Sequence, residues 1–146
     1  MSATGSEARV RASFEKQKFM ATLGARLTRV APGEVDIEVP FADHLTQQHG
    51  FVHAGVTTSI ADSACGYAAL TLMPEDAAVL SVEYKVNMLA PAVGRRLIAR
   101  GRVKKAGRTL TICTADVVAD NGEGEKVVTT MLATMMTVRD RGSLKD

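Results

Sequence analysis

The chain has no tryptophan and only six other aromatic residues, four phenylalanines and two tyrosines, among its 146 residues. These few rings are not interleaved with basic residues, so no row of stacking platforms is available to a nucleic acid. A net charge of +2, with a pI near 8.7, is too mild to hold a polyanion by charge alone. Nucleic-acid partners are therefore not expected. Cysteine is almost as scarce. Cys65 and Cys113 lie in apolar contexts with no C-x-x-C spacing, which reads as two buried free thiols from a reducing compartment. No apolar run is long enough to span a bilayer, and Met1 to Ala8 lacks the apolar core of a signal peptide. The expectation is a cytoplasmic protein without a membrane partner.

Charge of one sign is also missing over long stretches. No Lys or Arg occurs from Val30 to Tyr84, and no Asp or Glu between Tyr84 and Ala115. Into the second gap fall Lys85, Arg95, Arg96, Arg100, Arg102, Lys104, Lys105 and Arg108. Arg96, Arg100, Arg102 and Lys104 alternate onto one strand face, which is by default a solvated face.

With 46% hydrophobic residues, the chain suffices for one domain, 1–146, that closes a core without disulfides. Residues 1–8 and 139–146 are expected to be disordered. Val10, Phe14 and Phe19 or Met20 mark an amphipathic helix over 9–22 that ends near Gly24 and packs as a lid or flank. A hairpin follows, Ala25 to Val30 and Val35 to Val39 about the turn Ala31-Pro32-Gly33-Glu34. Period-two segments run from Val79 to Leu89, Leu97 to Lys105, Thr109 to Ala119 and Val127 to Val138. Between hairpin and strands, apolar residues at Val56, Ile60, Ala64, Ala68 and Leu72 predict a helix from Ala54 to about Leu72, closed off by Pro74. Its many small residues let other backbones approach on several sides. The fold class is α+β, with five or six mainly antiparallel strands around one long helix.

That helix holds the chemistry. A Gly-rich turn with His53 leads into an Ala-rich segment in which Asp62 is the only carboxylate, with no cation on the same helix to ease its burial. The turn ending at Ala54-Gly55 leaves backbone N–H groups free at a helix start, where the dipole favours negative charge, as in an oxyanion hole. Asp62 lies seven residues beyond Gly55, about 10 Å at the helical rise, so one chain's amide and its own carboxylate do not flank one carbonyl carbon. Two helices packed antiparallel would give two equivalent sites at an isologous interface.

Plainer roles compete with these. A lone Asp in an apolar helix is as often a structural group bonded to backbone as a catalyst. His53 reads more simply as a turn residue than as an acid or base. Gly50 interrupts any helix that would align His49 and His53, and no carboxylate follows a metalloprotease pattern, so no metal is expected. Ser59 and Ser63 lack a G-x-S-x-G context. Met131, Met135 and Met136 read as core or interface filler.

Gly50-Phe51-Val52-His53-Ala54-Gly55, with Asp62 nine residues after the His, resembles the signature of hotdog-fold acyl-CoA thioesterases of the PaaI-like branch. Ser81-Val82-Glu83-Tyr84 through Leu89-Ala90-Pro91-Ala92-Val93-Gly94 resembles the family's next strand and Pro turn, and Lys105-Ala106-Gly107-Arg108-Thr109-Leu110 its later β-turn. The resemblance covers Gly24 to Val138. It implies a hotdog fold and hydrolysis of an acyl-CoA thioester to free acid and CoA. Asp62 would be general base or nucleophile, the Ala54 amide would bind the thioester oxygen, His53 would shape the turn, and Ser81 would bond near the attacking water. Gln47 stands where the family has Asn, as an amide that orients water or the carbonyl, and Gln48 could take that part; Ala54 replaces the first Gly of His-Gly-Gly. Lys105, Ala106, Gly107, Arg108 and Thr109 would hold coenzyme A, the first and fourth through its phosphates. Phe51, Gly55, Val56 and Tyr67, with whatever a partner subunit contributes, would set the width of the acyl pocket. Coenzyme A enters as part of the substrate, no separate cofactor is implied, and the active form would be a homodimer or a dimer-of-dimers tetramer. Two rivals share the fold. One is an enoyl-CoA hydratase, suggested by Asp43 and His49, whose spacing and missing Asn-Pro segment argue against it. The other is a non-catalytic acyl-CoA-binding regulator, for which one short helix ahead of the first strand leaves no room for a helix-turn-helix.

Overall fold

The computed structural model describes residues 3–140, 142–144 and 146. Helices α1 (Ala3–Lys16) and α2 (Lys18–Leu23) precede the hairpin β1 (Arg26–Ala31) and β2 (Glu34–Pro40). A 3₁₀ turn (Asp43–Leu45) leads to the long helix α3 (Ala54–Leu70), and then come β3 (Ala78–Met88), β4 (Arg96–Ala106), β5 (Leu110–Asp120) and β6 (Glu125–Val138). The strands form one six-stranded sheet in the order β1-β2-β4-β5-β6-β3, antiparallel at every pairing. The central helix and wrapped antiparallel sheet are those expected, with strand ends within one or two residues of the hydrophobic pattern.

The core lies between α3 and one face of the sheet. Ile60, Ala61, Ala64, Cys65, Ala68, Ala69 and Leu70 meet Val35, Ile37, Leu97, Ala99, Cys113, Ala115, Val117, Met131, Ala133 and Met135, all buried. Small residues on α3 bring its backbone down onto β4. A side chain at Gly101 would collide with the Ala64 carbonyl, so the absence of a Cβ there sets how closely helix and sheet approach. Gly33, at φ +73°, turns the β1–β2 hairpin and donates its N–H to Thr71 Oγ1 (2.8 Å), which ties the hairpin to the end of α3.

Three expectations are corrected. Residues 3–8 are helical, because α1 starts at Ala3 and not at Arg9; Ser6 and Val10 are buried there. The single helix over 9–22 is two, broken at Gln17, whose φ of −81° and ψ of 94° are extended. At the other end, the Asp146 side chain accepts from the Val79 N–H (2.7 Å) and from Ser13 Oγ (3.3 Å), within the tail expected to be disordered. The part of that expectation falling on Met1, Ser2, Arg141 and Lys145 lies outside the described residues.

The arginines of β4 also have partners. Arg96 pairs with Glu38 and Asp120 (2.8 and 2.7 Å), Arg100 with Glu125 (2.7 Å) and Arg102 with Asp36 (2.6 Å), on the sheet face turned away from α3. These carboxylates stand on the adjacent β2 and β5 and on β6, so the acid-free stretch of sequence is not acid-free in space.

Candidate active site

Asp62 projects from the middle of α3 toward edge strand β3. Ser81 Oγ donates to Asp62 Oδ1 at 2.7 Å, and no Lys or Arg pairs with the carboxylate among the described residues. Burial pushes its pKa above the usual carboxylate range, and the Ser81 bond pulls it part of the way back. A half-buried carboxylate without a counter-charge is a stronger proton acceptor than an exposed one. It opens on a cavity of about 160 Å³ that also touches Gln17, Ser63, Tyr67 and Ser81.

The turn before α3 is built from its own hydrogen bonds. Gly50, at φ +81°, closes it, the Gln47 N–H donates to Phe51 O (2.8 Å), and the His53 N–H donates to Leu45 O (2.9 Å). His53 is the N-cap of α3: its Nδ1 accepts from the Gly55 N–H at 2.8 Å. That geometry requires a neutral ring with its hydrogen on Nε2. It also requires glycine at 55, because a Cβ there would lie 2.9 Å from His53 Nδ1. With the Gly55 amide occupied, the Ala54 N–H is left without an acceptor among the described residues, exposed at the helix start. It faces a cavity of about 600 Å³ walled by Gln47, Gln48, Phe51, His53, Met88 and Leu89. Gln47 turns its Oε1 back to accept from the His49 N–H, which leaves its NH₂ for that cavity.

Ala54 and Asp62 are about two turns of α3 apart, and the two cavities share no residue. Within one chain, the four residues expected at the acyl pocket line three separate cavities. Phe51 lines the turn cavity, Tyr67 the Asp62 cavity, and Gly55 and Val56 a third groove of about 350 Å³ with Phe19 and Leu23. Successive helical residues point about 100° apart, so neighbours in sequence near the turn open onto different cavities.

Lys105 and Ala106 end β4, Gly107, Arg108 and Thr109 make the turn, and all five are exposed. Neither Lys105 nor Arg108 has an ion pair among the described residues, in contrast to the paired arginines of the same strand. The Thr137 N–H donates to Thr109 O (2.8 Å), and Thr137 is in register with Val79, which lines the Asp62 cavity. Two strand spacings, about 10 Å, therefore separate the cationic turn from that cavity. Gln17 and Ser63 were not foreseen at the site. Lys16-Gln17-Lys18 are all good helix formers, so nothing in the sequence marks the break that turns Gln17 inward.

A family model described as the thioesterase superfamily matches residues 49–126. The chain is 50% identical to a thioesterase family protein from Silicibacter pomeroyi whose crystal structure superposes with a TM-score of 0.91, over 92% of this chain and 99% of that one. The E. coli PaaI protein from the phenylacetic acid degradation operon shares the fold at 18% identity, with a TM-score of 0.83 over 93% and 95% of the two chains. Human acyl-coenzyme A thioesterase 13 is 27% identical over 110 residues, 74% of this chain and 78% of its own length.

Proposed function

The chain belongs to the thioesterase superfamily, and from that premise we propose that it hydrolyses acyl-CoA thioesters at a site shared between two copies of itself. Membership supports thioester hydrolysis; the substrate class, residue roles and assembly are our reading. The observation that carries it is the separation of the two half-sites. The carboxylate and the free Ala54 amide each face a cavity, but the two cavities are distinct within one chain.

A second copy would join them. β3 is an edge strand, and Val82, Tyr84 and Met88 along it are 53%, 45% and 47% exposed, a row of apolar side chains beside unpaired backbone groups that invites strand pairing. If two copies of β3 pair antiparallel about Glu83, near the strand midpoint, Ala78 comes opposite the partner's Met88. The Asp62 cavity, with Val79 and Ser81, then abuts the partner's turn cavity, with its Met88 and Leu89. Leu80, Leu110 and Leu132, exposed on the outer face of the sheet, would serve a doubling of that homodimer to a tetramer.

In such a site Asp62 takes the proton of the attacking water, or itself attacks the carbonyl carbon, while the partner's Ala54 N–H and the helix dipole stabilise the oxyanion. Ser81 holds Oδ1 and leaves Oδ2 for chemistry. The C–S bond breaks and the thiolate leaves as CoA, taking the proton that Asp62 accepted from water; where Asp62 is the nucleophile, the thiolate is protonated by water and a water molecule then hydrolyses the acyl–Asp62 anhydride to release the acid. Lys105 and Arg108 would bind the nucleotide phosphates. Cys65 and Cys113 are free and buried, and among the described residues no helix is long and apolar enough to cross a membrane; both fit action in the cytoplasm. Asp43 and His49, the pair a hydratase reading needs, are exposed and form no hydrogen bond with each other among the described residues.

Release of free thiol from a panel of acyl-CoA esters tests the reading. The wild type should turn over at least one ester, and Asp62→Asn should lower kcat roughly 100-fold or more. Tight acyl-CoA binding with no thiol released would instead favour the regulator, and water addition to an unsaturated ester the hydratase.

A further inference from the structure

The cavity beside Asp62 has polar walls drawn from four parts of the chain. α3 contributes Ser63, Gly66 and Tyr67, β3 contributes Val79 and Ser81, the junction of the N-terminal helices contributes Gln17, and the C-terminal Asp146 contributes a second carboxylate, held by the Val79 N–H (2.7 Å) and Ser13 Oγ (3.3 Å). Gln17 reaches it because α1 stops and α2 starts at that residue. The amide is held at both ends: Ser63 Oγ donates to Gln17 Oε1 (3.1 Å), and Gln17 Nε2 donates to Tyr67 OH (2.9 Å). α1 is itself clamped to the loop after α3, since the Arg9 guanidinium donates to the carbonyls of Met73 (3.3 Å), Pro74 (2.9 Å) and Ala77. A reason other than helix propensity is needed for an arm fixed so that a primary amide faces the catalytic carboxylate's cavity.

A carboxamide has two N–H donors and an oxygen with two lone pairs. Ser63 and Tyr67 use one of each, which leaves one donor and one acceptor, the complement of a secondary amide. The wall beside it is open: Gly66 has no side chain, and apart from its own helix backbone and chain neighbours nothing lies within 4 Å of where its Cβ would stand. Of the parts of an acyl-CoA, only the thiol arm carries secondary amides, the first two methylene groups from the sulfur. The surroundings set the same direction. On one side the cationic turn lies about two strand spacings from Val79. The apolar cavity with Phe51, Met88 and Leu89, suited to an acyl group, belongs to the other half-site.

We propose that Gln17 is a substrate-binding residue that pairs with the pantetheine amide nearest the thioester, so that the N-terminal arm selects for the CoA-type thiol and not for the acyl group. This rests on the acyl-CoA reading given above. Ser63 and Tyr67 act through Gln17, as positioning residues.

The test uses four thioesters of one acid, with coenzyme A, pantetheine, N-acetylcysteamine and ethanethiol as the thiol; only the last lacks the amide. In Gln17→Leu, the ratio of kcat/KM for the N-acetylcysteamine ester to that for the ethyl ester should fall about 10-fold, the loss expected for one or two neutral hydrogen bonds, and should do so through KM. Ser63→Ala, which releases one end of the Gln17 amide, should move the same ratio less; it carries the test if circular dichroism shows Gln17→Leu unfolded. Equal losses on all four esters overturn the assignment alone. Failure of the wild type to hydrolyse any of the four overturns the acyl-CoA reading, and the assignment with it.

Discussion

The Ser81 hydroxyl donates to Asp62 Oδ1 across 2.7 Å, from the sheet edge to the middle of α3. It is the one hydrogen bond to that carboxylate among the described residues, and it stabilises the charged form that burial disfavours. Two opposed influences therefore set the proton affinity of the proposed catalyst, and each can be changed separately.

Removing the hydrogen bond leaves burial unopposed. In Ser81→Ala the Asp62 pKa should rise further, because the lost interaction favoured the ionised state. If hydrolysis needs the carboxylate, the acidic limb of the kcat/KM profile moves to higher pH, and Ser81→Thr, which keeps the hydroxyl, restores it. A limb that stays in place in a folded Ser81→Ala protein would detach Asp62 from the pH dependence.

The same group makes a claim about stability. The folded-state pKa of Asp62 is raised, so between the unfolded and folded values the native state binds more protons, and stability falls as pH rises through that window. Asp62→Asn has no such term. Its melting temperature should equal or exceed that of the wild type at neutral pH, with the gap closing as pH falls below the ordinary carboxylate range. A variant less stable than wild type at neutral pH would mean that the carboxylate holds the fold together.

The central helix was legible in the sequence because Pro74 bounds it and its apolar residues recur at helical spacing; His53 and Gly55 also emerged as turn residues, since a cap and a position that excludes a Cβ are local requirements. What depended on neighbours across the sheet was not legible. Arg96, Arg100 and Arg102 stand in an acid-free stretch, yet each faces a carboxylate on another strand. Gly55, Val56 and Tyr67 lie on one helix, but α3 distributes them around its circumference. Gln17 enters the Asp62 cavity at a break between α1 and α2, where its side chain bonds to Ser63 and Tyr67, in a sequence that reads as continuous helix.

A shared site predicts complementation. Ala54→Pro removes the proposed oxyanion donor, and Asp62→Asn the carboxylate, so each parent dimer should be nearly inactive. After equimolar subunit exchange half of the dimers are mixed, and each mixed dimer has one of its two sites intact, so activity should recover to about a quarter of wild type. Exchange verified by mass spectrometry without recovery, with both parents folded, would place both groups in one chain or outside the mechanism.

Arg108 tests the other end of the substrate. It is exposed and without an ion pair among the described residues, on a turn that Thr137 pins to the sheet. Contacts to the nucleotide phosphates are remote from the thioester carbon and equally strong in ground and transition states, which is uniform binding, so Arg108→Ala should raise KM for acyl-CoA with little change in kcat. Added salt should act in the same direction on the wild type, because an exposed ion pair to phosphate is screened over a Debye length of about 8 Å at physiological ionic strength. The acyl-pantetheine ester, which lacks the nucleotide, should respond to neither the mutation nor the salt. If Arg108→Ala weakens both substrates alike, the turn does not contact the nucleotide, and the phosphates must be met by cations elsewhere, of which Lys104, exposed on β4 and also without an ion pair among the described residues, would be the next to replace.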